Sequence, residues 1–127
     1  VKNSHYQTKH YQLSDINGTQ IIELDIEING EVQRLRGEGN GPISAMLDAL
    51  QLPIDVVNYE ERSISSGANA KALALIELQV KGTGKNAFGA GIHDNIVTSS
   101  IEAIIACTNR LIEQGVLTTE QVAAAAV

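Results

Sequence analysis

The sequence predicts an α+β fold of two strand-strand-strand-helix repeats, related by a pseudo-twofold axis, with antiparallel sheets backed by helices. Three observations predict it. Asn17-Gly18 and Asn29-Gly30 bracket the alternating run TQIIELDIEI; two segments of helical apolar spacing each follow a Gly-x-Gly pair; and the two halves match at a spacing of 52 residues. That spacing lays Gly30 on Gly82, Gly37 on Gly89 and Gly39 on Gly91, and Leu24, Ile26 and Ile28 on Ile76, Leu78 and Val80.

The elements follow in order. Asn-Gly pairs favour two-residue hairpin turns, because both central positions of a type I′ turn need positive φ. Between them Ile22, Leu24, Ile26 and Ile28 alternate with Glu23, Asp25 and Glu27, one dry face and one wet face of a strand. Residues 9 to 16, 19 to 28 and 31 to 37 therefore read as a meander. Pro42 suits a first helical turn, where its missing N–H costs nothing. Ile43, Met46, Leu47 and Leu50 recur at helical spacing, and the helix is expected to stop before Pro53. From 54 the cycle restarts: IDVVNYEERSI as a strand, SSGANA as a turn or bulge, KALALIELQV as a strand, KGTGKN as a turn and AFGAGI as a strand. A helix from Asp94 to about Glu113 follows, with Val97, Ile101, Ile104, Ile105 and Leu111 inward, Asp94 or Asn95 as its cap and Gly115 as its end. Its match to the first helix needs two extra residues. Thr118-Thr119-Glu120 begins a last short helix.

Composition narrows the function classes. With 43% hydrophobic residues, no Trp, one Phe and three Tyr, the core must be aliphatic and no aromatic platform for bases exists. A formal charge of −6 with no basic stripe argues against nucleic acid and anionic membranes. There is no apolar run of membrane-spanning length and no signal peptide, and the lone Cys107 reads as a core residue of a reducing compartment, so a soluble cytoplasmic protein is expected. The chain begins at Val1, holds its only Met at 46 and ends in VAAAAV, and is expected to be a piece of a longer polypeptide. His5, His10 and His93 lack metal-ligand spacing, and Ser63, Ser65 and Ser66 lack a nucleophile context. A stand-alone hydrolase or transferase is disfavoured.

The glycine pairs carry two readings. In one, two helix N-termini offer free N–H groups and a partial positive charge to an anion such as a carboxylate, with glycine allowing close approach. In the other, Gly37, Gly39, Gly89 and Gly91 only turn a strand into a helix. Neither a phosphate loop nor a dinucleotide fingerprint fits, because no Gly-Lys-Ser/Thr follows and there is no parallel βαβ unit.

GNGPISAMLDAL, then VVNYEERSISSGANAKALALIELQV, then FGAGIHDNIVTSSIEAIIACTNRL together resemble the C-terminal regulatory (LeuA dimerisation) domain of 2-isopropylmalate synthases, over residues 20 to 113. The resemblance implies a single regulatory domain over 1–127, with repeats at about 9–52 and 54–115, that follows a catalytic TIM barrel, forms a homodimer and binds L-leucine as a feedback inhibitor. It implies no activity and no cofactor for this chain alone. The divalent metal, and the condensation of acetyl-CoA with 2-ketoisovalerate, belong to the barrel. Carried over, the effector site falls on Asn40, Gly41, Ile43 and Ser44, on Val56, Tyr59 and Ser63, on Ala70 and Ala72, and on Gly91 and Ile92. Asn69 departs from the Asp that is frequent there, which removes a charge. Leucine needs N–H donors for its carboxylate, oxygens for its ammonium, with Asp94 a candidate, and an aliphatic hollow. The related regulatory domain of citramalate synthases, with isoleucine as effector, and a purely structural dimerisation module are the alternatives.

Overall fold

The computed structural model describes residues 5–66 and 68–125. In chain order the elements are β1 (Tyr6–Ile16), β2 (Thr19–Ile28), β3 (Glu31–Gly39), α1 (Pro42–Leu50), β4 (Ile54–Ser66), β5 (Asn69–Val80), β6 (Asn86–His93), α2 (Ile96–Glu113) and α3 (Thr119–Ala125). They divide into two compact units, one running to Pro53 and including the segment from Thr118, the other Ile54–Leu117. Each unit holds one antiparallel sheet, ordered β1-β2-β3 or β4-β5-β6. The expected strand-strand-strand-helix pattern is therefore present twice.

In the first unit the dry face of β2, Ile22, Leu24, Ile26 and Ile28, is buried together with Ala45, Met46, Ala49 and Leu50 of α1. The helix face differs in part from the expected one: Met46 and Leu50 are buried as expected, but Ile43 and Leu47 are only half-buried, and Ala45 and Ala49 are buried in their place. The glycines explain this. A Cβ on Gly37 would lie 2.1 Å from Ala45 O and 2.4 Å from Ala49 N. Small residues on strand and helix thus let the two backbones approach. In the second unit Ala74, Ile76, Leu78 and Val80 of β5 are buried with Ile101, Ile104 and Leu111 of α2, and Gly91 lies under Ser99 O, 2.1 Å from where its Cβ would be. All four glycines fall inside β3 or β6 rather than at corners. They seat the helices.

The turns obey their residues. Asn17, Gly18, Asn29 and Gly30 have φ of 53, 85, 51 and 91°, as the hairpin reading requires. Gln51 ends α1 at φ 53° and Gly115 follows α2 at φ 75°. SSGANA is mostly strand, since β4 runs through Ser66 and β5 resumes at Asn69, with Gly67 outside the described residues. The second long helix starts at Ile96, two residues later than expected, and Thr118 and Gln121 bond reciprocally at the start of α3 (2.8 and 3.1 Å).

Strand register corrects the repeat. Tyr6 faces Ile28 and Ile54 faces Val80, and each first strand carries a bulge, between Thr8 and His10 and between Val56 and Asn58. Ile22 faces Gly37, whereas Ala74 faces Gly91. The true counterpart of Gly37 is therefore Gly91, not Gly89. Corresponding residues are 48 apart in the first strands, 52 in the second, and 54 in the third strands and the helices. The two extra residues lie in the β5–β6 turn, where Gly82 and Gly84 at φ 79 and 70° replace the tight Asn-Gly turn.

Candidate functional site

Aligned at the corrected spacing, Gly41 in the first unit corresponds to Asn95 in the second, and this single difference separates the two helix starts. Asn95 Oδ1 accepts the N–H groups of Val97 (2.8 Å) and Thr98 (3.2 Å), so the α2 start is closed by its own cap. Gly41 has no side chain to do this. Pro42 at the first helical position has no N–H, Ala45 N donates to Gly41 O (3.0 Å), and no side-chain cap receives the intervening Ile43 and Ser44 amides. Ser44 Oγ instead accepts the Gly41 N–H at 3.2 Å, and its proton has acceptors in Asn40 Oδ1 and Gly41 O, each at 3.3 Å. Of the two helix starts that the anion reading requires, α2 is closed by its own cap and α1 alone is uncapped.

The second unit offers a hollow of about 300 Å3 lined by Glu61, Arg62, Ser63, Ala72 and Ile96. Its position follows from register: Ser63 faces Ala72 across the β4–β5 ladder, and Ile96 opens α2. Beside it Tyr59 donates its hydroxyl proton to Glu61 Oε2 (2.5 Å) and lies 2.7 Å from Ser100 Oγ, which has a second acceptor in Ile96 O at 2.9 Å. Partial burial, and then the adjoining Glu61 carboxylate, push the Tyr59 hydroxyl above its ordinary pKa. It stays a neutral donor. A carboxylate, hydroxyls and an aliphatic wall meet here, whereas the Arg62 guanidinium is turned to the other face of β4 and pairs with Glu60 at 2.8 Å.

The carried-over residues fall in both units. Asn40, Gly41, Ile43 and Ser44 surround the α1 start. Val56, Tyr59 and Ser63 alternate along β4 on the α2 side, with Ala72 paired to Ser63 and Ala70 two residues further out on the same face. Gly91 turns its Cβ position toward Ser99 O, so its part is to seat α2. Ile92 pairs with Leu73 and points from the opposite face, 54% exposed. Asp94 is engaged by Lys71 Nζ at 2.8 Å, and that ammonium holds its carboxyl below the usual carboxylate range. Glu61, Arg62, Ile96 and Ser100 were not singled out from sequence. Glu61 was within reach, standing two residues from Tyr59 on one strand face; Ser100, 41 residues away, gave no local signal.

Among the described residues no group of three or more His, Cys, Asp or Glu could hold a metal ion, and no helix is long and apolar enough to cross a membrane. Cys107 is fully buried, donates to Ala87 O at 3.1 Å, and has its thiol pKa pushed up by burial. It is a core residue, not an activated nucleophile.

By architecture the molecule is an α+β module of two βββα units, the first with an uncapped helix start and the second with a hollow beside its helix. The chain belongs to the LeuA allosteric (dimerisation) domain family, whose profile matches residues 1–112. It is similar to the 2-isopropylmalate synthase of Paraburkholderia xenovorans, 41% identical over 100 residues that cover 79% of this chain and 18% of that protein. The enzyme of the same name from Azoarcus sp. is 43% identical over 109 residues (86% and 19%), and that of Pseudomonas syringae pv. tomato 35% over 112 residues (88% and 20%). The chain spans about a fifth of the length of these relatives.

Proposed function

We propose that the chain is the leucine-binding regulatory and dimerising domain of a 2-isopropylmalate synthase. In this reading a catalytic barrel of the same polypeptide, with its own divalent metal, condenses acetyl-CoA with 2-ketoisovalerate in the cytoplasm. The chain itself catalyses nothing and holds no cofactor. The observation that carries the ligand is the hollow at Ser63 and Ala72, two residues that the family resemblance had already assigned to the effector and that face each other across one ladder. Family membership supports the regulatory role.

The energetics are consistent with an amino acid. Burying an isobutyl tail contributes roughly 1.5–3 kcal/mol, whereas micromolar affinity needs about 8 kcal/mol. The charged ends must then contribute comparably, through charge-assisted hydrogen bonds of about 1.5–3 kcal/mol each before ordering costs. Within the second unit, Glu61 is an acceptor suited to an ammonium beside the Ala72 and Ile96 wall; within the first, taken by itself, the α1 start offers the uncapped amides of Ile43 and Ser44 as donors. Inhibition requires that leucine bind one arrangement of the full enzyme better than another, and only that difference in affinity is transmitted.

Calorimetric titration of the chain with leucine, isoleucine and valine tests the reading. Saturable heat with leucine, weaker for the others, is the expected result. Preference for isoleucine would transfer the assignment to a citramalate synthase, and no heat with any of the three would leave a purely structural dimerisation module.

A further inference from the structure

Register sets Glu77 of β5 opposite Phe88 of β6 on the outward face of the second sheet. The corresponding residues of the first unit, at the corrected spacings, are Asp25 and Arg34, which face each other in the same way. There the guanidinium meets the carboxylate as a fork, Arg34 Nε at 2.5 Å from Asp25 Oδ1 and Nη2 at 3.3 Å from Oδ2. In the second unit the carboxylate is kept and the arginine is replaced by a ring. Among the described residues, the Glu77 carboxylate has only the neutral Asn86 amide as a hydrogen-bond partner, at 2.8 Å. The neighbouring charges are matched within the chain, Glu60 by Arg62 and Lys71 by Asp94 at 2.8 Å each, and Asp55 by Lys81 at 3.7 Å. Glu77 is left without a cation.

We propose that this position takes the arginine side chain of a partner protein, its guanidinium bonded to Glu77 and stacked on Phe88, in the place that Arg34 fills in the first unit. A hollow of about 200 Å3 opens there, lined by Asn58, Glu60, Leu75, Glu77 and Phe88. Leu75 and its ladder partner Ala90 offer an apolar floor for the methylene stem. Phe88 is 61% exposed, which leaves its ring open to a cation. A planar guanidinium can meet a carboxylate with its edge and lie against a ring with its face, whereas an ammonium is a compact point charge. Hence arginine rather than lysine.

The surroundings favour a protein over a free small molecule. Sites for small molecules enclose most of the ligand. This hollow instead runs on into Leu73 and its partner Ile92, 54% exposed, which suits apolar residues flanking the arginine on a polypeptide. The formal charge of −6 draws a basic partner towards the chain. The inference goes beyond the effector reading, since it concerns the sheet face turned away from α2.

NMR titration of the isotope-labelled chain with the peptide acetyl-Leu-Arg-Leu-amide, without leucine, tests the proposal. Saturable shifts are expected at the backbone amides of Leu75, Glu77 and Phe88. The same peptide with citrulline for arginine, alike in shape but neutral, should bind roughly tenfold or more weakly. Glu77→Gln should weaken the arginine peptide by roughly tenfold or more, and Phe88→Leu, which stays apolar but loses the ring, by about threefold. Phe88→Arg supplies the first unit's pairing from within and should abolish peptide binding, with an unchanged circular dichroism spectrum. No saturable shift in the wild type, equal binding of the citrulline peptide, or undiminished binding by Glu77→Gln overturns the proposal. So does free L-arginine binding as tightly as the peptide, which would make the hollow a small-molecule site.

Discussion

Thr8 and Tyr6, neighbours on one face of β1, show how much a single buried polar atom can matter. Thr8 Oγ1 is shielded from solvent and has no hydrogen-bond partner, and the residue at the same register in the second unit is Val56. A buried hydroxyl without a partner costs about 1–3 kcal/mol, while an apolar group of the same shape has no such penalty. Thr8→Val should therefore stabilise the fold by about 1 kcal/mol, read as a higher denaturant midpoint at unchanged slope. Tyr6 is 2% exposed, and burial pushes its hydroxyl pKa from 10.0 up to about 12. Because the folded state keeps a proton that the unfolded chain releases from pH 10 upward, this contribution is intact below pH 10 and lost between pH 10 and 12. Two pKa units correspond to about 3 kcal/mol. Denaturation of wild type and Tyr6→Phe at pH 9 and pH 11 should show a steeper loss of stability in the wild type; parallel losses would refute the assignment.

At the scale of elements, the contrast between α1 and α2 gives the sharpest prediction. Asn95 caps α2 where Gly41 leaves α1 open, so Gly41→Asn copies the second unit's solution into the first. The variant should gain a few tenths of a kcal/mol in stability, because Asn is a slightly better cap than Gly. It should also weaken by roughly tenfold or more any carboxylate binding at the α1 start, because the new side chain takes the amides there. Calorimetry and thermal melting on the same sample separate the two effects, and undiminished affinity would remove the α1 start from the effector site. How much of this was legible varies by element. Asn-Gly turns and the alternation of β2 fixed the meander because each residue there answers to local geometry alone. The glycines of β3 and β6 were visible but misassigned: a glycine at a bend and a glycine under a helix look alike in sequence, and only the 2.1 Å separation from Ala45 O or Ser99 O distinguishes them. The same ambiguity hid the register. Gly37 and Gly89 match by residue type at a spacing of 52, but ladder pairing, not residue identity, decides which positions correspond. The hollow at Ser63 needed β4, β5 and α2 together, and no local pattern encodes that meeting.

For the whole molecule, the decisive consequence of the proposed function is that leucine should stabilise the folded chain by mass action. A ligand that binds only the native state adds about 2.7 kcal/mol at a free concentration of 100 times its dissociation constant. For 127 residues, 1 kcal/mol moves the melting temperature by roughly 3–6 °C, so leucine at that concentration should raise it by about 8–16 °C. The size of the shift should follow the logarithm of leucine concentration without saturating, which distinguishes specific binding from a general solute effect. Isoleucine and valine carry the same charged ends but place their branch one carbon closer to the backbone, so they probe the aliphatic wall at Ala72 and Ile96 with the polar contacts held constant. Smaller shifts for both are expected. An equal shift with alanine would mean that the tail contributes nothing, and the hollow would then have no part in recognising the effector.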